Sequence, residues 1–396
     1  MANKYQLVNE MANETIKYIS QSSENWIEFL NTASNNYKYS FSEQVLIYAQ
    51  KANATACADI ETWNKRLKRW VNKGAKGIAL LSIENGRSVL RHVFDISDTH
   101  SGIGQDLKLW EVKPSYTNGI IETLENSFGN LEIKDTLAEA IYSSSINLVE
   151  DNFQDYLVDL KEVTEGSFLQ ELNDIELESY FRGILANSIA YMTMKRCGID
   201  PMEHFSLADF EIIKQFNNKR VISRLGAATS DIAEREIREI YSSVINFEKN
   251  NKLTNRTFVN NEKMNYHNNE EKIVKGETIM IELTYKQMGD YQIPQVALPK
   301  TKKITQGRFS RMRENFLKEY KRGLYEELMI DGKMEEHLGE IEQTAQKRMK
   351  QIITSLAEKN QITEKMKREN QMEWVQAMNS IRNQAEEMII AELIYN

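Results

Sequence analysis

The chain has 396 residues, 41% of them hydrophobic, and a formal net charge of −8 at pH 7. Its length suggests two or three domains, and its apolar content excludes a chain that is disordered throughout. Cys57 and Cys197 form no CxxC pair, and neither a membrane span nor an apolar leader is found, so we predict a cytoplasmic protein without a membrane partner.

The composition predicts a predominantly helical α+β protein, because only four prolines accompany many strong helix formers. We expect N-terminal helices with a β-hairpin, an acidic helical middle region and a C-terminal helical hairpin or bundle. The expected segments are 1–113, 114–250, a flexible linker over 251–283, and 284–396.

Three helices are predicted near the N-terminus. Apolar residues at helical spacing indicate one over Leu7–Leu30, and a capping box at residues 40–43 starts the next. A third is predicted over Asp59–Asn72, where Trp63 and Trp70 share an apolar face. This prediction places most of the surface of both tryptophans in the core.

A local reversal of charge runs from the third predicted helix into the turn that follows it. No acidic residue interrupts its cations, which are Lys65, Arg66, Lys68, Arg69, Lys73 and Lys76. Cations beside aromatic rings suit single-stranded nucleic acid, because phosphates meet the charges and unstacked bases find ring faces. The alternative, which composition alone favours, is an ordinary helix with a solvated basic face.

The turn at residues 73–77 precedes a strong hairpin signal. Two β-rich runs, Ile78–Ile83 and Ser88–Phe94, flank Asn85-Gly86. The turn itself lacks the GxxxxGK[ST] pattern, so we expect no nucleotide hydrolysis there.

Several blocks of this region carry a family resemblance. YKYSFSEQVLIYAQKANATACADIETW, KRLKRWVNKGAKGIALL and VFDISDT resemble, in this order, the N-terminal domain of antirestriction proteins of the ArdC type. That domain also opens large proteins of integrative and conjugative elements. The resemblance implies a single-stranded-DNA-binding domain over 1–113, with a mobile-element-type extension to about residue 255. It marks these motif positions: Tyr39, Ser40, Asn53, Trp63, Lys73, Gly74 and Gly77.

ArdC-type proteins normally continue into a zinc-peptidase-like domain with an HExxH helix. The five histidines of this chain show no such pairing: His92, His100, His204, His267 and His337. We therefore predict no metal site, no cofactor and no enzymatic activity.

The middle region is acidic and helical. One helix is predicted to stop at Cys197-Gly198 by a glycine cap, and a last one covers Ser230–Glu248. A flexible linker is predicted over Lys249–Gly276. The acid cluster at residues 171–178 is interpreted as a solvated face in preference to a metal site, and DNA mimicry by this acidic surface is a weaker alternative.

The C-terminal region begins with a turn at Gly289-Asp290 and continues into a second basic cluster over 300–322. We expect Arg308, Arg311 and Arg313 to contact DNA from a basic helix, and a charged surface helix is an equal alternative. Two longer helices, separated near residue 360, predict an antiparallel helical hairpin or a bundle that self-associates.

Residues 284–396 resemble the TnpV family of transposon-encoded proteins. TYKQMGDYQIPQVALP, GRFSRMRENFLKEY and QMEWVQAMNSIRNQAEEMIIAELIY carry the resemblance. Both resemblances indicate a mobile genetic element, such as a conjugative transposon. We predict a non-enzymatic accessory protein that binds single-stranded DNA. The alternative is an anti-defence protein, antirestriction or anti-CRISPR, that binds a host nuclease complex.

Overall fold

A computed structural model describes residues 6–101, 107, 109–255, 283–298 and 307–395. Contacts divide the chain into two compact units, the first Met1–Leu80 with Arg91–Ala297 and the second Leu81–Leu90 with Leu298–Asn396. Helices dominate, and most of the small sheets are antiparallel, which confirms the predicted helical α+β class. The predicted domain limits stay a prediction, because clustering of contacts does not test independent folding. Among the described residues, no helix combines the length and the apolar character needed to cross a membrane.

The first unit begins with three helices, α1 (Val8–Ile19), α2 (Ser23–Asn35) and α3 (Phe41–Gln50). The prediction of one helix over Leu7–Leu30 is wrong, because the chain leaves the helix at Ser20. Ser22 then caps α2 by accepting a hydrogen bond from the backbone N–H of Asn25 at 3.2 Å. A serine that satisfies the free amides of a new helix favours two helices over one.

The described residues also contain nine short strands: β1 (Gln6–Leu7), β2 (Cys57–Ala58), β3 (Arg69–Val71), β4 (Ile78–Glu84), β5 (Arg87–Asp95), β6 (Thr99–Ser101), β7 (Tyr285–Met288), β8 (Tyr291–Pro294) and β9 (Val296–Ala297). They form a three-stranded sheet β2-β5-β4 and the pairs β3-β6, β7-β8 and β1-β9, of which β1-β9 is parallel. The predicted β4–β5 hairpin is confirmed. Asn85 and Gly86 both have positive φ, 49° and 65°, as a two-residue hairpin turn requires.

The helix predicted over Asp59–Asn72 is wrong. The structure has one wide π-helical turn at Thr62–Arg66, after which Lys68 adopts a left-handed backbone with φ 53°. The chain then enters β3, which pairs with β6. Hydrogen bonds between segments about thirty residues apart thus override the helical spacing of the apolar residues.

The rest of the first unit is helical: α4 (Thr117–Phe128), α5 (Leu137–Lys161), α6 (Asp174–Arg196) and α7 (Lys219–Asn255). These helices pack together and also against α1, α2 and α3. One link is the buried Nε1–H of Trp26, which donates to Ser188 Oγ at 2.9 Å. The predicted glycine cap is confirmed by Gly198, whose φ is 79°.

Helix α7 is longer than the predicted Ser230–Glu248 at both ends. Asn218 starts it by accepting a hydrogen bond from the N–H of Val221 at 3.1 Å. The helix continues through Asn255, so the first residues of the predicted linker are helical. Residues 256–276 of that linker lie outside the described part of the chain.

The second unit contains α8 (Arg308–Tyr320), α9 (Arg322–Ile330), α10 (Met334–Lys359), α11 (Glu364–Glu369), α12 (Gln371–Ile389) and a π-helical turn at Ile390–Ile394. The predicted pairing of two long helices is confirmed, since α10 packs against α12. Part of their core is formed by Phe309, Ala345, Ile352, Ala385, Ile389 and Ile394.

Candidate nucleic-acid interface

The two-stranded ribbon β3–β6 displays an aromatic pair. Trp70 lies directly opposite His100, and their ring centroids are 6.3 Å apart. The Trp70 side chain is 45% exposed, so the prediction that it belongs to the core is wrong. Residues alternate between the faces of a strand, and Arg69, next to Trp70, takes the buried face.

Arg69 supports the ribbon from inside. Its guanidinium donates to Thr99 Oγ1 at 2.8 Å and to the carbonyl oxygen of Thr99 at 3.0 Å, and the residue is only 9% exposed. His100 is fixed in turn, because its Nδ1 lies 2.7 Å from Asn72 Oδ1. Arg69 is one of the predicted cations, but its guanidinium is buried and does not belong to the exposed basic surface.

Four cations of the predicted site remain exposed and flank Trp70 in the sequence: Lys65, Arg66, Lys68 and Lys73. Lys65 pairs with Glu61 at 3.0 Å, on fully solvated side chains where such a pair is weak. Within the described residues, the other three form no ion pair. Their charges are thus available to a polyanion that approaches the exposed tryptophan.

The turn at residues 73–77 is held by the β7–β8 hairpin. The Gly74 N–H donates to the Asp290 carbonyl at 2.6 Å, and the Gly77 N–H donates to Gln292 at 2.8 Å. Gln292 donates back to the Ala75 carbonyl at 2.8 Å. These two glycine amides donate to backbone carbonyls, so neither is free to donate to a phosphate in this arrangement.

A cleft of about 370 Å³ opens between this turn, the end of α3 and the hairpin. Lys51, Lys76, Asp98 and Tyr285 line it. Lys51 Nζ lies 2.7 Å from Asp98 Oδ2, so one cation and the carboxylate neutralise each other. Lys76 Nζ lies over the Tyr285 ring, 4.8 Å from its centroid, and has no carboxylate partner in the described part of the chain.

The VFDISDT motif has a structural role centred on Asp95, which is fully buried. Its carboxylate accepts hydrogen bonds from the backbone N–H of Thr55 at 2.7 Å, of Ala56 at 2.8 Å and of Ser97 at 3.0 Å. Burial alone would raise the pKa of Asp95, but these hydrogen bonds outweigh it and lower the pKa. Asp95 thereby fixes the loops on both sides of the cleft residue Asp98.

The motif positions implied by the resemblance are mostly structural. Trp63 is buried and donates to the Phe94 carbonyl at 2.9 Å, and Tyr39 donates to the Cys57 carbonyl at 2.8 Å. Ser40 starts α3, with its N–H donating to Glu43 at 3.2 Å. Asn53 is exposed.

Gly77 and Gly74 are required by geometry. A Cβ at Gly77 would lie 3.1 Å from the Phe94 ring, which also packs edge-on against Tyr291 of the hairpin. Gly74 has φ 80°, a left-handed backbone that favours glycine. Both glycines thus shape the turn that presents Lys73 and Lys76.

The second basic cluster is less available than predicted. Arg313 is only 6% exposed and donates to the Ile394 carbonyl at 2.7 Å, which anchors the end of the chain to α8. Arg308 is exposed but lies 2.5 Å from Glu386. Arg311 is exposed. Residues 300–306 of this cluster lie outside the described part of the chain.

The acid cluster of the middle region includes two ion pairs with Lys161. Lys161 Nζ lies 3.1 Å from Asp174 Oδ1 and 3.2 Å from Glu178 Oε1. Within the described residues, no three side chains of His, Cys, Asp or Glu are grouped so that they could hold a metal ion.

Sequence reasoning missed the exposure of Trp70 and the roles of His100, Lys51, Asp98 and Tyr285. A weak signal for the first was present, since Trp70 and Val71 are residue types that favour strands. No local sequence pattern predicts that Tyr285 lies beside the turn at residues 73–77, because that contact joins segments remote in the sequence.

Residues 284–394 match the family model described as transposon-encoded protein TnpV, which confirms the predicted resemblance of this region and associates the chain with transposons. No family match supports the resemblance of residues 1–113 to ArdC-type proteins, which stays a prediction. No curated protein and no solved structure matches the chain.

Proposed function

We propose that the first unit binds single-stranded nucleic acid on the face that carries Trp70. The observation that supports this most strongly is an exposed tryptophan, paired with His100 across a two-stranded ribbon and flanked in the sequence by exposed cations. An isolated basic helix would be an ordinary solvated surface. A large exposed ring among cations provides both contacts that unpaired bases and phosphates need.

The sign of the charge is consistent with this location. The whole chain carries −8, so it has no general attraction for polyanions. The run from residue 65 to residue 76 contains six cations and no acid. A nucleic acid would therefore be directed to this face and repelled from much of the remaining surface.

The proposed role is that of a non-enzymatic accessory protein of a transposon or conjugative element. The TnpV match supports the transposon setting. Single-stranded DNA is exposed when such elements move, which gives the proposed activity a purpose there. Cytoplasmic location is part of the same proposal.

A salt titration with matched triple variants tests the proposal. The test variant replaces Lys65, Lys68 and Lys73 by alanine. The control variant also replaces three exposed lysines, distributed over other surfaces of the first unit: Lys17, Lys134 and Lys214. The two variants have the same net charge, so any difference between them reports position.

The measurement is fluorescence anisotropy of a labelled oligothymidylate of about 16 nucleotides at salt concentrations from about 50 to 200 mM. We expect the logarithm of the affinity to depend less steeply on the logarithm of salt in the test variant, by about 2. The control variant should keep the wild-type slope. Equal slopes for all three proteins would contradict the proposed surface.

A further inference from the structure

The cleft beside the turn at residues 73–77 lies on the same ribbon as Trp70. The Asn72 N–H donates to the Asp98 carbonyl at 2.8 Å, and Asn72 also contacts His100. Asp98 lines the cleft, whereas the His100 ring lies beside the exposed tryptophan, tilted by 34° against it. Asn72 therefore links the cleft residue Asp98 to His100, the partner of Trp70, through two hydrogen bonds.

The cleft has the chemistry of a base-and-phosphate site. Tyr285 provides a ring whose face is accessible to a cation, since Lys76 lies over it at 4.8 Å. Lys76 is exposed and without a carboxylate partner in the described residues, so its flexible ammonium can leave the ring for a phosphate oxygen. The volume of about 370 Å³ lies near the lower end of the range for small-molecule sites, about 300–1,000 Å³.

The aromatic wall of the cleft comes from the segment that matches TnpV. Tyr285 is the first residue of β7, and the hairpin is fastened to the turn by backbone hydrogen bonds from Gly74 and Gly77. Tyr291 of the same hairpin packs edge-on against Phe94 at 5.1 Å. The hairpin therefore packs as part of the first unit, although it is remote in the sequence from the turn that it contacts.

We infer that the TnpV-matching hairpin completes the nucleic-acid site: the cleft takes one nucleotide of the bound single strand, with its base against Tyr285 and its phosphate at Lys76. This inference rests on the proposed function. It adds a second stacking position, remote in sequence from Trp70, and it explains why one chain carries both segments. The partner of the hairpin is a strand of single-stranded DNA.

The test uses the full chain and four proteins. Tyr285→Leu removes the ring but keeps apolar bulk, whereas Tyr285→Phe keeps the ring. Met288→Ala is the matched control, because Met288 lies on the same strand, is 51% exposed and does not line the cleft. The folding and stability of each variant are checked by thermal unfolding and circular dichroism before binding is measured.

Affinity for an oligothymidylate of about 16 nucleotides should decrease about 5- to 100-fold in Tyr285→Leu, as expected for loss of one stacked base. Tyr285→Phe and Met288→Ala should bind like the wild type. If Tyr285→Leu binds like the wild type while the Lys65, Lys68 and Lys73 variant is weakened, the cleft inference fails and the proposed function stands. If that triple variant also binds normally, the proposed function fails.

A second readout does not depend on any variant folding. A strand containing 4-thiothymidine is irradiated with the wild-type protein, and the modified peptides are identified by mass spectrometry. Cross-links to the peptide that contains Tyr285, together with cross-links to the one that contains Trp70, are expected. Cross-links at Trp70 with none at Tyr285 would overturn the cleft inference alone.

Discussion

The backbone N–H of Gly74 donates to the carbonyl oxygen of Asp290 at 2.6 Å. This hydrogen bond joins the glycine turn of the N-terminal region to the hairpin with which the TnpV match begins. The turn carries Lys73, which is exposed, and Lys76, which lines the cleft. The basic run therefore has a defined shape, in contrast to the simple helical face that its sequence predicts.

The exposure of Trp70 makes it a reporter of binding. We expect titration with oligothymidylate to quench part of the intrinsic tryptophan fluorescence, since a base stacked on an exposed indole quenches its emission. Trp70→Phe should lose most of this quenching while keeping a ring for stacking, so its affinity changes little. Trp70→Ala should lose affinity by about 5- to 100-fold.

Two of the four other tryptophans are a buried reference for this measurement, whereas Trp110 and Trp374 are half-buried, so their emission is separated from that of Trp70 by the Trp70→Phe variant. Trp26 and Trp63 are fully buried and hydrogen-bonded, so their emission should not respond to a strand at the surface. Quenching of equal size in the wild type and in Trp70→Phe would place the strand elsewhere.

Substitutions of Lys68 should affect DNA binding and the stability of the fold in different directions. Its φ of 53° is unfavourable for a residue with a Cβ, by roughly 1–2 kcal/mol relative to right-handed backbone. Lys68→Gly should therefore raise the free energy of unfolding by up to about 1 kcal/mol, less the greater chain entropy of glycine in the unfolded state. The same change removes one exposed cation and should weaken binding of single-stranded DNA.

Lys68→Ala is the matched variant, because it loses the cation but keeps the backbone strain. Chemical denaturation and the salt titration, applied to both variants, give the two effects separately. Stabilisation by glycine with unchanged affinity in both variants would remove Lys68 from the proposed surface.

Local signals made part of this fold predictable. The β4–β5 turn follows from Asn85-Gly86, which tolerate positive φ, and the end of α6 follows from Gly198. Thr363 caps α11 by accepting from the Met366 N–H at 3.3 Å, and a threonine before a helix is a common capping residue. In each case a few adjacent residues determine the backbone, so a single sequence contains the necessary information.

The rest of the fold could not be predicted, because it depends on pairing between segments that are distant in the sequence. Trp63 and Trp70 fit helical spacing, yet β3 pairs with Thr99–Ser101 and leaves Trp70 at the surface. For the candidate site, the run of cations was visible in the sequence. The burial of Arg69 and the arrival of Tyr285 were not, because both result from tertiary contacts.

A substitution at Gly226 tests how closely α3 packs against α7. A Cβ at this position would lie 2.2 Å from the Phe41 ring, which is itself buried. Gly226→Ala should lower the free energy of unfolding by about 1–3 kcal/mol, the usual effect of overpacking a core. Gly183→Ala is the matched control on α6, where a Cβ meets nothing within 4 Å.

The control variant, Gly183→Ala, should raise the free energy of unfolding, since alanine is favoured over glycine within a helix by about 1 kcal/mol. Both variants are compared by urea denaturation monitored by circular dichroism. If Gly226→Ala is as stable as Gly183→Ala, the close contact between α3 and α7 is contradicted.

Glu236 gives the protein a predictable dependence of stability on pH. The side chain is fully buried on α7, and Oε2 accepts hydrogen bonds from Thr193 Oγ1 at 2.7 Å and from Ser145 Oγ at 3.1 Å. Burial raises the pKa of Glu236 to about 7, although the hydrogen bonds from Ser144, Thr193 and Ser145 oppose that rise. The folded state therefore holds a proton that the unfolded chain releases near pH 4.5.

Because the folded state binds the extra proton between pH 4.5 and 7, the contribution of Glu236 to the free energy of unfolding decreases as pH rises through that window. Above about pH 7 the ionised carboxylate is buried and the loss is complete. Glu236→Gln cannot ionise, so it should be more stable than the wild type at pH 8, by up to about 3 kcal/mol. The difference should disappear near pH 4.5.

The exposed Glu122 on α4 provides the control, since Glu122→Gln should leave the pH dependence unchanged. Urea denaturation of the three proteins at several pH values between 4.5 and 8 measures the effect. A stability difference between Glu236→Gln and the wild type that is the same at every pH in this range would show that the pKa of Glu236 is not raised in the folded state. In that case the hydrogen bonds from Ser144, Ser145 and Thr193 would outweigh burial, and the carboxylate would be ionised in the folded core throughout.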